Sequence, residues 1–274
     1  MSTPGSSPPP MLDGQREKLH VYNWPNPAAR YVAVLSHGAG EHLGRYEHVA
    51  QALVRHGAAV IGADHQGHGR SGGARMQVSD FDDLLSDLHA VVGRAKAGHP
   101  GLPVVLIGHS MGGMLAARYA QVHGAELAAL VLSGPLLGPW PVAPMLLAMD
   151  PMPEVPIDPA VLSRDPAACK AYADDPLVWH GGLPRVSLEA VVKFLSTIDA
   201  GPKLGALPTL WLHGAADPLV PAEVTRQGLA KISGSAFESK LYDGALHEIF
   251  NETNRAEVLA DLTAFIGRTL PGRS

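Results

Sequence analysis

The sequence predicts an α/β protein: a mostly parallel, doubly wound sheet interrupted by a helical insertion. Three observations carry that prediction. Short runs that are apolar on both faces alternate with longer stretches of helical periodicity, the pattern of a parallel sheet covered on both sides. The alternation breaks after Gly134 into a proline-rich stretch of short helix-like pieces and resumes at Thr209. At 274 residues the chain is long for one small domain and ordinary for a single α/β domain carrying an insertion.

Taken in order, residues 1–13 are rich in Ser and Pro and are expected to form a disordered tail. Tyr31–Ser36 (YVAVLS) is a continuous apolar strand ending in a glycine-containing loop. Residues 46–56 are helical in pattern and stop at Gly57. Residues 58–64 (AAVIGAD) form another buried strand, followed by the Gly-rich loop 66–73. Leu84, Leu85, Leu88, Val91 and Val92 stand at helical spacing and place a helix over 81–97, closed by Gly98. A strand over 103–108 (PVVLIG), a helix over 112–122 and a strand over 127–133 (LAALVLS) complete the first half. After the insertion come a strand over 209–213, a helix over Ala222–Ile232, a strand over Phe237–Tyr242 and a final helix near 254–269. The expected organisation is a core in two pieces, 14–134 and 204–270, with residues 135–203 as a cap over the strand ends.

Composition narrows the function. Apolar residues make up 46% and charged residues 17%, which supports a large core and excludes global disorder. The formal charge of -5 gives no reason to expect nucleic acid as a partner. Cys169 stands alone, so the fold needs no disulfide and suits a reduced compartment. The N-terminal segment has neither the basic nor the apolar region of a signal peptide, and no apolar run spans a bilayer. A cytoplasmic protein is expected. Arg outnumbers Lys, and Ala, Gly and Pro are abundant, as in the products of GC-rich bacterial genomes.

The chemistry starts at Gly108-His109-Ser110-Met111-Gly112, a Gly-x-Ser-x-Gly run directly between a strand and a helix. So tight a turn excludes side chains at its flanks, hence glycine at 108, 112 and 113. It lifts the Ser110 hydroxyl above the strand ends and aims the first amides of the following helix at a developing oxyanion. Serine is a poor nucleophile at its free pKa and needs a base oriented by an acid. Of the 14 histidines, His180, His213 and His247 follow at useful distance. His247 falls in the loop after the last strand, where the base belongs. His180 lies in the cap, and His213, at a strand terminus, is read as a packed structural residue. Asp217, after the preceding strand, is the favoured acid. Asp243 and Asp199 compete with it, although Asp243 fits a turn-capping role before Gly244. A second oxyanion amide, besides that of Met111, is expected from His37-Gly38-Ala39-Gly40, with Ala39 as the donor.

Two other chemistries were weighed. His37, His42, His48, His65 and His68 are dense enough to raise a metal site, yet no metal-ligand spacing motif occurs, and Asp64–Gly69 reads better as a structured loop. No phosphate-binding glycine motif occurs either. No metal and no cofactor are expected.

Together these runs resemble the monoacylglycerol lipase family of α/β-hydrolases, within its serine-aminopeptidase-like and lysophospholipase-like group. The matching segments are His37-Gly38-Ala39-Gly40-Glu41-His42 with Arg45-Tyr46, Asp64-His65-Gln66-Gly67-His68-Gly69-Arg70-Ser71, and residues 108–113. In the cap they are Leu162-Ser163-Arg164-Asp165 and Tyr172-Ala173-Asp174-Asp175-Pro176-Leu177, and later His213–Asp217 and Tyr242–His247. The resemblance covers about residues 18–268, and its cap motifs are the specific ones. It implies an α/β-hydrolase fold with a helical cap inserted after the sixth strand. It further implies a cofactor-free carboxylic-ester hydrolase that cleaves monoacylglycerols to fatty acid and glycerol through an acyl-enzyme. The triad would be Ser110, Asp217 and His247, the oxyanion amides Ala39 and Met111, and the residues beside the glycerol head group Glu41, Arg45 and Tyr172. A lysophospholipase or a broad carboxylesterase is the alternative, and a non-catalytic ligand receptor on the same scaffold a more distant one. In mammalian members a histidine stands three positions beyond the catalytic one. Here that residue is Phe250, which predicts a more apolar head-group end.

The apolar cap stretch 140–149 supports two readings: packing over an acyl pocket, or transient contact with a lipid surface by a peripherally associated enzyme. Cys169, beside Tyr172, is read as structural.

Overall fold

The computed structural model describes residues 11–270. An eight-stranded sheet runs in the order β1-β2-β4-β3-β5-β6-β7-β8. Its strands are β1 (Met11–Asp13), β2 (Lys18–Trp24), β3 (Tyr31–Ser36), β4 (Ala58–Ala63), β5 (Val104–His109), β6 (Ala129–Ser133), β7 (Thr209–Gly214) and β8 (Phe237–Tyr242). From β4 to β8 all pairings are parallel, and β1 and β2 add an antiparallel edge. The helices are α1 (Glu47–Arg55), α2 (Phe81–Gly98), α3 (Met111–His123), α4 (Val142–Leu147), α5 (Pro166–Asp174), α6 (Arg185–Asp199), α7 (Ala222–Ile232) and α8 (Arg255–Thr269).

Strand alternation divides the core into two layers. Val32, Val34, Val104 and Leu106 face a cluster shared with α2, α3 and α6. Their neighbours Tyr31, Ala33, Leu35, Val105 and Ile107 face a second cluster with α1 and α8. Both faces are covered, so the central strands read as unbroken apolar runs.

The structure corrects the expected tail. Residues 1–10 lie outside the described residues, but Met11–Asp13 is a strand, paired Met11↔His20 to Asp13↔Lys18. Leu12 packs against the core, and Gln15 N donates to the buried Asp87 carboxylate at 2.6 Å. A pairing edge and one apolar anchor outweigh the polar local composition.

The segment 135–203 carries α4, α5 and α6. Asp165 caps α5 by accepting from Ala167 N, and Pro166 occupies its first turn. In α6, Leu188, Val191, Leu195 and Ile198 repeat at helical spacing and join the cluster of α2 and α3. Leu162, Tyr172 and Val178 form a small cluster of their own.

The sheet order reverses at β3: β4 lies on one side of it and β5 on the other. Loops leaving the carboxyl ends of β3 and β5 therefore diverge and open a crevice, the preferred ligand position in open parallel sheets. The loop carrying His37–Gly40 and the turn carrying Ser110 flank it.

Candidate active site

Strand β5 ends at His109 and α3 begins at Met111, so Ser110 is the whole turn. It adopts φ 53° and ψ -117°, a conformation that costs a non-glycine residue about 1–3 kcal/mol. Backbone bonds hold it there: Ser110 N donates to Ser133 O at 3.0 Å, and Ser110 O accepts from Met114 N at 3.0 Å and Leu136 N at 3.1 Å. A Cβ at Gly108 would lie 2.3 Å from the Gly112 carbonyl oxygen, and one at Gly112 would lie 2.2 Å from that of Ser36. Both glycines are steric requirements of the turn.

The Ser110 hydroxyl donates to His247 Nε2 at 2.9 Å, and His247 Nδ1 donates to Asp217 Oδ2 at 2.6 Å. Asp217 is fixed in turn: Leu219 N and Val220 N both donate to its Oδ1 at 2.9 Å. His213, fully buried, accepts from Trp211 Nε1 at its Nδ1, so its proton is on Nε2. That proton is shared between Val220 O at 2.8 Å and Asp217 Oδ2 at 3.1 Å. The structural reading of His213 thus gains a definite partner, the acid itself. The competing acids are elsewhere: Asp243 is exposed, and Asp199 pairs with Lys231 at 2.5 Å.

Burial favours the neutral acid at Asp217, but the two imidazoles outweigh it and hold the carboxyl well below the usual carboxylate range. Burial likewise depresses the His247 imidazole, and the Asp217 carboxylate reverses this to a net upward shift from 6.5. His247 must be neutral to accept the serine proton. The value of kcat/KM is therefore expected to fall on acidification through an apparent pKa above 6.5. His109 cannot produce that limb, because burial lowers it to about 4. A pH–rate profile with its acid limb well below 6.5 would contradict the assignment.

The oxyanion loop is anchored by Glu41. Its Oε1 accepts from Gly38 N at 2.7 Å and from the Tyr46 hydroxyl at 2.6 Å. The Gly38 amide is thereby committed, which leaves the next amide, Ala39, free of any hydrogen bond among the described residues. Met111 N, first in α3, is one of the donors a helix N-terminus leaves open. A second clamp comes from the segment after α5: Trp179 N donates to Gly40 O at 2.7 Å, and His42 Nε2 meets Asp175 Oδ2 at 2.8 Å.

Arg45 does not line the cleft. Its guanidinium bridges Glu41 Oε2 at 2.5 Å and both oxygens of Glu248, at 2.6 and 2.5 Å, and stacks over the Tyr172 ring at 4.9 Å. Glu41 and Tyr172 do line it, with Glu248 between them and His247. Sequence reasoning missed Glu248, although it directly follows His247. Replacing Arg45 with Met strands two buried carboxylates, which costs about 3–5 kcal/mol. We expect R45M to lower the melting temperature by about 10 °C in thermal denaturation; an unchanged transition would mean the bridge is not holding these loops.

Phe250 is a correction of another kind. It faces Tyr46 edge-on, with centroids 6.4 Å apart in the layer below, and its carbonyl accepts from His48 Nε2 at 2.7 Å. It does not make the head-group end apolar.

The cleft above Ser110 is narrow, with a cavity volume of about 80 Å³. Met76, Val78, Phe81, Leu183, Leu188 and Val191 form one apolar wall; Leu136, Trp140, Leu219 and Val220 form another. Trp140 therefore faces inward, its Nε1 donating to Leu219 O at 2.9 Å. The polar end holds Glu41, Tyr172 and Glu248.

The dense histidines are scaffold. His37 Nδ1 donates to Gly38 O at 2.8 Å, and its Nε2 accepts from His65 N at 2.9 Å. His65 Nε2 meets Ser36 Oγ at 3.0 Å, and His68 Nδ1 meets Gln66 O at 2.9 Å. Burial lowers His65 to about 3 and His68 to about 4, keeping both neutral. Cys169 lies against the carbonyls of Pro159 and Ser163, and burial raises its thiol, so it is no activated thiolate.

Residues 27–254 match the model of the family described as serine aminopeptidase, S33. The chain is 37% identical over 251 residues to the monoacylglycerol lipase of Mycolicibacterium smegmatis, spanning 88% of this chain and 90% of that protein. It is 34% identical over 266 residues to the monoglyceride lipase of Homo sapiens, spanning 91% of this chain and 88% of that one. Among solved structures, the monoacylglycerol lipase of Paleococcus ferrophilus superposes with a TM-score of 0.79 at 27% identity, covering 92% of this chain and 99% of that one.

Proposed function

We propose that this chain, which belongs to the serine aminopeptidase S33 family and within it to the monoacylglycerol lipases, hydrolyses monoacylglycerol esters to fatty acid and glycerol. The observation that carries the reading is the Ser110–His247–Asp217 relay, set where an apolar cleft meets a polar end. An acyl chain fits the apolar walls and a glycerol fits the end beside Glu41 and Tyr172.

In this mechanism His247 Nε2 takes the proton of Ser110 as its oxygen attacks the ester carbon. The Ala39 and Met111 amides hold the resulting oxyanion. Collapse of the intermediate expels glycerol, which leaves with the proton from His247. A water then gives its proton to His247 and attacks the acyl-serine, and the fatty acid departs as Ser110 regains its hydrogen. Asp217 stays ionised throughout and stabilises the imidazolium.

Residues 135–203 serve as the cap in this reading. Met145, Met149 and Val155 are 53%, 40% and 59% exposed, while Trp140 and Ala143 turn inward. The inward set packs over the acyl cleft, and the outward set gives the cap a shallow contact with the lipid surface from which substrate is drawn.

Rates on 1-monooleoylglycerol, lysophosphatidylcholine and p-nitrophenyl butyrate, measured side by side, test the substrate class. Monooleoylglycerol is expected to give the highest kcat/KM. A preference for the lysophospholipid makes the chain a lysophospholipase, and equal rates on all three make it a broad esterase. No turnover together with no fluorophosphonate adduct on Ser110 would leave a ligand receptor.

A further inference from the structure

The C-terminal end of α3, far from the cleft, carries a group of donors that ester hydrolysis does not use. His89 of α2, His123 at the last position of α3 and Glu126 in the following turn present ligand atoms all within 4.8 Å of one another. We propose that these three side chains form a site for a divalent transition-metal ion of the zinc type, which staples α2 to α3.

The distances favour shared coordination over hydrogen bonding. His89 Nδ1 and His123 Nδ1 both point at the same oxygen, Glu126 Oε1, at 3.8 and 3.6 Å. Both separations exceed the roughly 3.2 Å limit of an N–H···O bond. Two ligands on a tetrahedral zinc, with bonds of about 2.0–2.2 Å, stand about 3.3–3.6 Å apart. The imidazoles lie nearly parallel, 4.2 Å between centroids and 15° between planes, so their Nδ1 edges open to one side. Side-chain rotations that close these gaps by about an ångström would bring the three donors onto one ion, with water completing the shell.

The surroundings suit a cation. The carboxylate is held by Lys96, whose Nζ donates to Glu126 Oε2 at 2.8 Å and leaves Oε1 open. The buried Tyr119 hydroxyl meets His89 Nδ1 at 3.1 Å, so an ion binds there in competition with that hydrogen bond. The last turn of α3 contributes the negative end of its dipole. Two imidazoles and one carboxylate form a borderline-soft set that selects zinc, nickel or copper over magnesium or calcium. Thirteen residues of helix separate the site from Ser110, about 20 Å, so it acts on stability and leaves the triad alone.

Titration of untagged, chelator-treated protein with zinc chloride by calorimetry tests the site. One ion per chain is expected, with the melting temperature rising by about 5 °C at a hundredfold excess over Kd. His89→Ala, His123→Ala and Glu126→Gln should each weaken binding by more than about tenfold, since outer-shell partners alone already move metal affinity by 10- to 100-fold. Glu126→Gln preserves shape and both histidines, so it separates a built site from adventitious capture by imidazoles. Absence of saturable binding, or wild-type affinity in Glu126→Gln, would overturn the proposal.

Discussion

Ser110→Ala is expected to lower kcat/KM for a monoacylglycerol by about 10⁵- to 10⁶-fold while leaving the fold intact. Among the described residues the hydroxyl removed is the only group hydrogen-bonded to His247 Nε2, at 2.9 Å, and none offers a substitute nucleophile there. Relaxing the strained turn adds no new contact, because alanine fits the space serine leaves. Residual turnover should remain above that of water, since the Ala39 and Met111 amides and the cleft still orient the ester. Steady-state hydrolysis with parallel circular dichroism measures this, and fluorophosphonate labelling should vanish in the variant. Activity within tenfold of wild type would sink the mechanism.

Asp217→Asn is expected to cost about 10⁴-fold in kcat. Its physical cause is more specific here than loss of a charge. In the wild type Asp217 Oδ2 accepts from two imidazoles at once, His247 Nδ1 at 2.6 Å and His213 Nε2 at 3.1 Å. An amide offers only one oxygen: at the Oδ2 position it leaves the NH₂ facing the Leu219 and Val220 amides that donate to Oδ1, and at the Oδ1 position it turns the NH₂ toward both imidazoles, which must then reverse their tautomers. His213 cannot do so freely, because Trp211 Nε1 donates to its Nδ1 at 3.0 Å. The oxygen therefore satisfies the imidazoles only by setting the NH₂ against two backbone donors, or the backbone donors only by disturbing both imidazoles. Removing the carboxylate also removes the attraction that raises His247, so the acid limb of the residual activity should move to lower pH. Asp243→Asn and Asp199→Asn are the controls and should stay within twofold of wild type. Equal losses at Asp243 would mean that the acid has been misassigned.

How much of this was legible in the sequence depended on the length over which each feature is encoded. Ser110, Asp217 and His247 each sit just beyond a strand end in a short glycine-marked run, so each announced itself locally, and their order along the chain did the rest. The loop carrying Gly38 and Ala39 was legible for the same reason, and its role in holding an oxyanion is part of the proposal. Strand β2 was not, because Lys18–Trp24 mixes polar residues with Leu19, Val21 and two aromatics and pairs antiparallel with β4, unlike the apolar runs beside it. Strand β1 is three residues long and owes its form to its partner. Nothing near Arg45 pointed to Glu248, 203 positions away, so a guanidinium placed near the head group by resemblance turned out to hold the wall from behind. The extra partner of Asp217 was hidden for a subtler reason. A histidine at a strand end reads as packing, and only the fold brings Trp211 to its Nδ1 and so turns its Nε2 to the acid.

That wall behind the head group has an electrical consequence. Glu41 accepts from the Gly38 amide, the Tyr46 hydroxyl and the Arg45 guanidinium, and Arg45 holds the Glu248 carboxyl below its ordinary range despite burial. Two negative groups and one positive group leave a formal surplus of one negative charge at the polar end of the cleft. A neutral glycerol approaches such a surface at no electrostatic disadvantage. A phosphodiester brings its own anion into the same poorly screened space and is repelled. The proposed preference for an acylglycerol over a lysophospholipid would then rest on a charge imbalance among side chains, none of which takes part in bond making.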